Sequence, residues 1–229
     1  MTTPAELTRH FDRELANLKQ DLLRMAALAE TAVGKSVESV TNRDSDRARE
    51  VIIDDITLNR MELTIEEQAF KLLALRQPVA TDLRLTVAAM RIATELERIG
   101  DQAVNIAERA LELNSRLPLE LPIDIKLMAD MALGMLRTSI DAFVNQDPKL
   151  AIQVCQRDVE VDILDDEYIQ KLLDSMIKES RWVTRLHHFI IVVRNLERIA
   201  DLATNIAEDI VFIVEGRVIK HRCEDWMMS

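Results

Sequence analysis

No proline falls between Pro4 and Pro78, and none between Pro78 and Pro118. A proline inside a helix removes a hydrogen bond and its ring clashes with the preceding turn, so prolines mark where helices stop. Pro4, Pro78, Pro118, Pro122 and Pro148 therefore leave room for helices much longer than the usual three turns. Within these stretches apolar residues return every three or four positions, as in Leu15, Leu18, Leu22, Met25, Ala29, Ala32 and Val33. That is the stripe of a long amphipathic helix. Four glycines and 3% aromatics leave little for hairpin turns or a sandwich core. The chain reads as all-α, with six helices over roughly 5–41, 44–75, 79–115, 121–145, 148–178 and 181–215.

The chain also repeats itself. "NRDSDRA" (Asn42–Ala48) and "NQDPKLA" (Asn145–Ala151) are matching interruptions, each with an aspartate, Asp44 or Asp147, placed to cap the helix that follows. "ELERIGDQAVNIAER" (Glu95–Arg109) returns as "NLERIADLATNIAED" (Asn195–Asp209), with ten of thirteen residues identical from Leu96 to Glu108 at a shift of 100. The first two helices match the fourth and fifth at a shift of 103, which predicts a shorter connection before the sixth helix. A helix of about 30 residues is ~45 Å long, and three joined by short turns must lie antiparallel to bury their stripes. The expected architecture is two tandem antiparallel three-helix bundles related by an internal pseudo-twofold. The first repeat spans residues 1–117, and the second, with a short C-terminal tail, spans 118–229.

A net charge of −11 without any basic run argues against nucleic acid or an anionic membrane surface as partner. No stretch approaches the length of a membrane-spanning apolar helix, and the charged N-terminus lacks a signal-peptide pattern, so the expected location is cytoplasmic. Cys155 and Cys223 are too few for a disulfide framework or zinc knuckle, and Cys155 reads as a buried free thiol. His10, His187, His188 and His221 lie off the acidic faces and suit packing or surface roles.

At 100° per residue, Asp101, Glu108 and Asn105 fall within about 80° of Glu97, while Ile99, Ala103, Ile106, Ala107 and Ala110 face the other way. Glu197, Asp201, Asn205 and Glu208 repeat the pattern in the sixth helix. A second acidic line runs along the second helix (Asp55, Asn59, Glu62, Glu66) and another along the fifth (Asp158, Asp162, Asp165). If neighbouring helices are antiparallel, these lines converge, and converging carboxylates repel unless a cation or protons intervene. A solvated face carries acids too, but it has no reason to keep them in register in both halves. Oxygen-only ligands favour hard ions such as Mg²⁺, Mn²⁺, Fe or Ca²⁺ over zinc or copper.

"RQPVATDLR" (Arg76–Arg84), the two acidic phrases and the closing "VEGRVIKH" (Val214–His221) resemble the PhoU family of bacterial phosphate-signalling regulators, over nearly the entire chain. The resemblance implies two three-helix bundles, no catalytic activity, and multinuclear metal sites (Fe, Mn or Mg) built from acidic pairs four residues apart. Those pairs are Glu97 with Asp101, Glu197 with Asp201, Asp158 with Asp162, and Asp55 with Asn59, where an amide replaces a carboxylate. Asn105, Asn205, Glu108 and Glu208 are further candidate ligands. The resemblance also implies a negative regulator of the phosphate-starvation response. Such a regulator links the ATPase subunit of a phosphate ABC importer to a sensor histidine kinase, commonly as a homodimer. Two other readings stay open: a helical adaptor without metal, and a carboxylate-bridged di-iron enzyme. The di-iron enzyme needs Glu-x-x-His pairs, and here no Glu stands three residues before a His.

Overall fold

A computed structural model of the chain describes residues 4–217 and shows six helices: α1 (Pro4–Thr41), α2 (Ser45–Arg76), α3 (Ala80–Asn114), α4 (Ile125–Asn145), α5 (Pro148–Lys178) and α6 (Val183–Glu215). A single 3₁₀ turn, Ser180–Trp182, precedes α6. His221, Cys223 and the closing "RCEDWMMS" lie outside the described residues.

The helix starts follow local chemistry. Asp44 accepts hydrogen bonds from the N–H groups of Asp46 and Arg47 and so caps α2, while Asp147 accepts from Lys149 and caps α5. These are the two matching interruptions of the sequence, and both turns also place a non-glycine residue in the left-handed region, Arg43 at φ 57° and Gln146 at φ 51°. The fourth helix begins at Ile125, later than its apolar pattern suggests, because Pro122 interrupts it and Asp124 caps the new start through Leu127 N–H.

The connection before α6 is not shorter, contrary to the sequence expectation. Residues 77–79 join α2 to α3, and residues 179–182 join α5 to α6. The three residues missing from repeat two have been taken from the first turn of its last helix, where a deletion removes one exposed turn without disturbing the register of the buried stripe.

Within each repeat the three helices pack on one another, and between repeats the main contacts are α3 on α6 and α1 on α4. Both of these contacts join a helix to its own counterpart in the other repeat. Arg84, early in α3, donates to the carbonyl of Ile213 late in α6 at 2.9 Å. One turn-pair along, Arg91 bonds Asp209 at 3.2 Å. The central pair is therefore antiparallel. Arg137 Nε to Glu30, at 2.6 Å, spans α4 and α1.

The predicted core stripe of α3 is realised: Ile99, Ala103, Ile106, Ala107 and Ala110 have no exposed surface, and the buried residues of both repeats form one continuous apolar cluster. Helices α2 and α5 flank the molecule and leave Leu63, Phe70 and Ile163 on the surface. Cys155 is buried as expected, but it is not the free thiol the sequence suggested. Among the described residues no helix is long and apolar enough to cross a membrane.

Candidate metal centre

Two acidic edges form where α2 lies along α3 and where α5 lies along α6. On the second edge Asp158 and Asp162, one turn apart on α5, meet Asp201 of α6, and an oxygen from each lies within 4.8 Å of the other two. Asp158 Oδ1 is sealed from solvent and has no hydrogen-bond donor. Burial pushes the Asp158 carboxyl up to about 7, helped by Asp201 across the edge and Asp162 one turn along α5, against a lowering contribution from the Thr204 hydroxyl of α6. Burial also lifts Glu197 to about 7, with Asp201 and Asp165 adding repulsion, and Asp201 is raised by burial and Asp162. Such a group of carboxyls keeps its charge only if protons or a cation neutralise it.

Asp165 and Arg194 complete this edge, and Arg194 was not foreseen. Asp165 is 2% exposed and accepts from Arg194 at 2.6 Å through Oδ2, leaving Oδ1 without a donor. The only signal in the sequence was a difference between repeats, since Thr94 occupies the matching place in α3. Glu208 is buried and close enough to repel Asp158. Asn205 sits half-buried nearby on α6.

The first edge gathers Asp55, Glu62, Glu97 and Asp101. Burial lifts Glu97 to about 7, followed by repulsion from Asp101, Glu62 and Asp55. Asp55 is raised by burial and by Asp101. Donors are built in here too. The Asn59 amide donates to Asp55 Oδ2 at 3.2 Å, and the Thr94 hydroxyl donates to Glu62 at 2.9 Å. Asn105 and Glu108 lie further along α3, both exposed, with Glu108 paired to Arg109 at 3.0 Å.

The donor set is all oxygen, anionic and close-spaced, which suits a hard divalent ion at six or more oxygens, with water filling the remainder. The orphaned Asp158 oxygen and the mutual approach of Asp158, Asp162 and Asp201 fit such an ion.

The two arginines of "RQPVATDLR" tie helices together. Arg76 grips Glu14 through two bonds of 2.9 Å, joining the end of α2 to α1, and Arg84 holds the Ile213 carbonyl of α6 beside Gly216.

Fold and edges together define a tandem-repeat helical scaffold with a carboxylate-lined seam in each repeat. The chain belongs to the PhoU family: residues 22–110 and 125–210 each match the PhoU domain. It is 40% identical over 209 residues to the "Phosphate-specific transport system accessory protein PhoU homolog" of Caulobacter vibrioides, covering 91% of both chains. Its fold is similar to the crystal structure of PhoU from Pseudomonas aeruginosa, with a TM-score of 0.86 and 35% identity, over 90% of this chain and 100% of that one. It is also similar to the phosphate transport system regulatory protein PhoU from Streptococcus pneumoniae, with a TM-score of 0.83 and 28% identity, over 91% and 98%.

Proposed function

We propose that this chain is an accessory protein of a phosphate-specific transport system that represses the phosphate-starvation response. It couples the ATPase subunit of a phosphate ABC importer to a sensor histidine kinase and holds a hard metal cation on its acidic seam. The observation that carries the regulatory role is family membership in both repeats, together with relatives of that description matched over nine-tenths of the chain. The physical form supports docking over chemistry. The outward faces of α2 and α5 present apolar residues such as Leu63, Phe70 and Ile163 among charges, as protein-binding surfaces do. The cleft between α1 and α2, about 520 Å³, is lined by Glu14, Asn17, Asp21 and Gln68 among others, with no nucleophile and base paired in it.

Deleting the gene is expected to raise a phosphate-starvation reporter in phosphate-rich medium, with restoration by the wild-type copy. An unchanged reporter overturns the regulatory reading. Metal analysis of chain purified without chelator tests the cation: stoichiometric Mn, Fe or Mg supports it, and trace amounts leave the helical adaptor without metal as the better description.

A further inference from the structure

We propose that cation loading in this chain is one-sided: the α5–α6 seam takes the ion, and the α2–α3 seam, closed from within by the Asn59 amide, does not. This rests on the metal-bearing reading above, under which two equivalent repeats would load equally.

The repeats differ at matched positions, and the differences nearest the triad favour repeat two, although Arg194 at Asp165 and Thr204 at Asp158 give that seam donors of its own. Asp162 of repeat two is Asn59 in repeat one, so a full negative charge becomes a neutral amide. The amide does more than weaken the site. Its NH₂ group donates to Asp55 Oδ2 at 3.2 Å and so offers the carboxylate the positive partner that an ion would supply. Asp162 has no proton donor of this kind, and the oxygens of Asp158, Asp162 and Asp201 remain within 4.8 Å of one another. Among the His, Cys, Asp and Glu side chains of the described residues, this is the triad that closes to that spacing.

Ala200 of repeat two is Gly100 in repeat one. A Cβ at Gly100 would lie 2.6 Å from Leu58 Cδ1 and 3.1 Å from Asp55 Oδ1, so α2 has settled into the space the missing methyl leaves. Asp55 Oδ1 has no donor either, but it lies against the backbone of α3 instead of being free to turn toward an ion. Thr94 then satisfies Glu62 with its hydroxyl at 2.9 Å. Further along, Glu108 is exposed and paired to Arg109, whereas its counterpart Glu208 is buried within reach of Asp158. At the triad itself repeat one therefore offers a hard cation one carboxylate fewer, and Asp55 is already bonded to the Asn59 amide. Repeat two offers a closed triad with an orphaned oxygen.

The test uses Mn²⁺ as probe on the full chain stripped with chelator, with free Mn²⁺ followed by electron paramagnetic resonance and heats by calorimetry. Circular dichroism verifies that each variant is folded. One class of sites is expected for the wild type. Asp162→Asn, which writes the repeat-one residue into repeat two, should weaken it by about tenfold or more, since changes even outside the direct ligands cost that much. Asp101→Asn should leave the titration unchanged, and Asn59→Asp should add a second class of sites. Equal loss from Asp101→Asn and Asp162→Asn, or two classes already present in the wild type, overturns the one-sided reading alone. Failure of wild type and Asn59→Asp alike to bind Mn²⁺ overturns the metal-bearing reading and this inference with it.

Discussion

A carboxyl that stands near neutrality is a statement about stability as well as about ligands. Asp158 rises from an ordinary 3.8 to about 7, and Glu97 and Glu197 rise from 4.5 to about 7, each chiefly through burial and then through neighbouring acids. A group with its folded value raised holds more protons folded than unfolded between the two values. Its stabilisation is full below the unfolded value and is lost as pH rises through the folded one. In chelator, the melting temperature should therefore fall between pH 5 and pH 8. A fall of at least about 3 °C corresponds to roughly 1 kcal/mol for a chain of this length, a discounted figure because these side chains are only partly buried. Saturating Mn²⁺ should flatten the slope, since a bound cation favours the ionised carboxyls. Scanning fluorimetry at five pH values decides it, and a flat profile in chelator would show that the seams carry no electrostatic strain. Asp158→Asn should act with opposite signs in the two conditions, raising the chelator-treated melting temperature at pH 8 and abolishing the gain from Mn²⁺. A loss of stability in both conditions would mean that Asp158 serves packing alone.

At the scale of helices and turns, the two α-turn-α corners show how far local rules reach. Gln146 sits at φ 51° after α4, where a Cβ costs about 1–2 kcal/mol, and its N–H bonds Phe143 O. Gln146→Gly should stabilise the chain by about 0.5–1 kcal/mol once the added freedom of the unfolded glycine is subtracted, whereas Gly216→Ala, at φ 70°, should destabilise it by about 1 kcal/mol. Urea midpoints of the two variants, moving in opposite directions, check both. Corners of this kind were legible in the sequence, since Asp44 and Asp147 announce their own helices and the stripe from Ile99 to Ala110 announces its buried face. The convergence of acidic faces followed from the same periodicity. What periodicity could not supply was depth and partner. Helical angles place Asp165 and Asp162 on one face, but only the packing of α6 makes Asp165 buried and gives it Arg194. Likewise the partner of Arg84, the Ile213 carbonyl near the end of α6, lies 129 residues away in the chain and carries no local signal. Gly100 carries no signal in isolation; its meaning is the distance to Leu58 on another helix.

For the molecule as a whole, the question is whether two sequence repeats make two folding units. The repeats are easily told apart along the chain, and residues 115–124 between them contain no helix. Yet α3 packs on α6 as well as on α1 and α2, and the buried residues of the halves form one cluster. Leu96, Ile106, Leu196 and Ile206, all without exposed surface, belong to it. Separating the repeats would uncover the apolar surface that α3 and α6 share, and exposing apolar area costs about 25 cal/mol per Å². The polar contacts across the boundary, Arg84 to Ile213 O, Arg91 to Asp209 and Arg137 to Glu30, would be lost in the same step. The whole chain should therefore unfold in one cooperative transition, with calorimetric and van't Hoff enthalpies agreeing. Residues 1–117 expressed alone should be helical yet bind a hydrophobic dye and self-associate, because the exposed flank of α3 seeks a substitute for α6. Two resolved endotherms in the full chain, or a compact monomer that excludes the dye from the fragment, would instead show that each repeat is a domain in its own right and that the shared core adds contact without cooperativity.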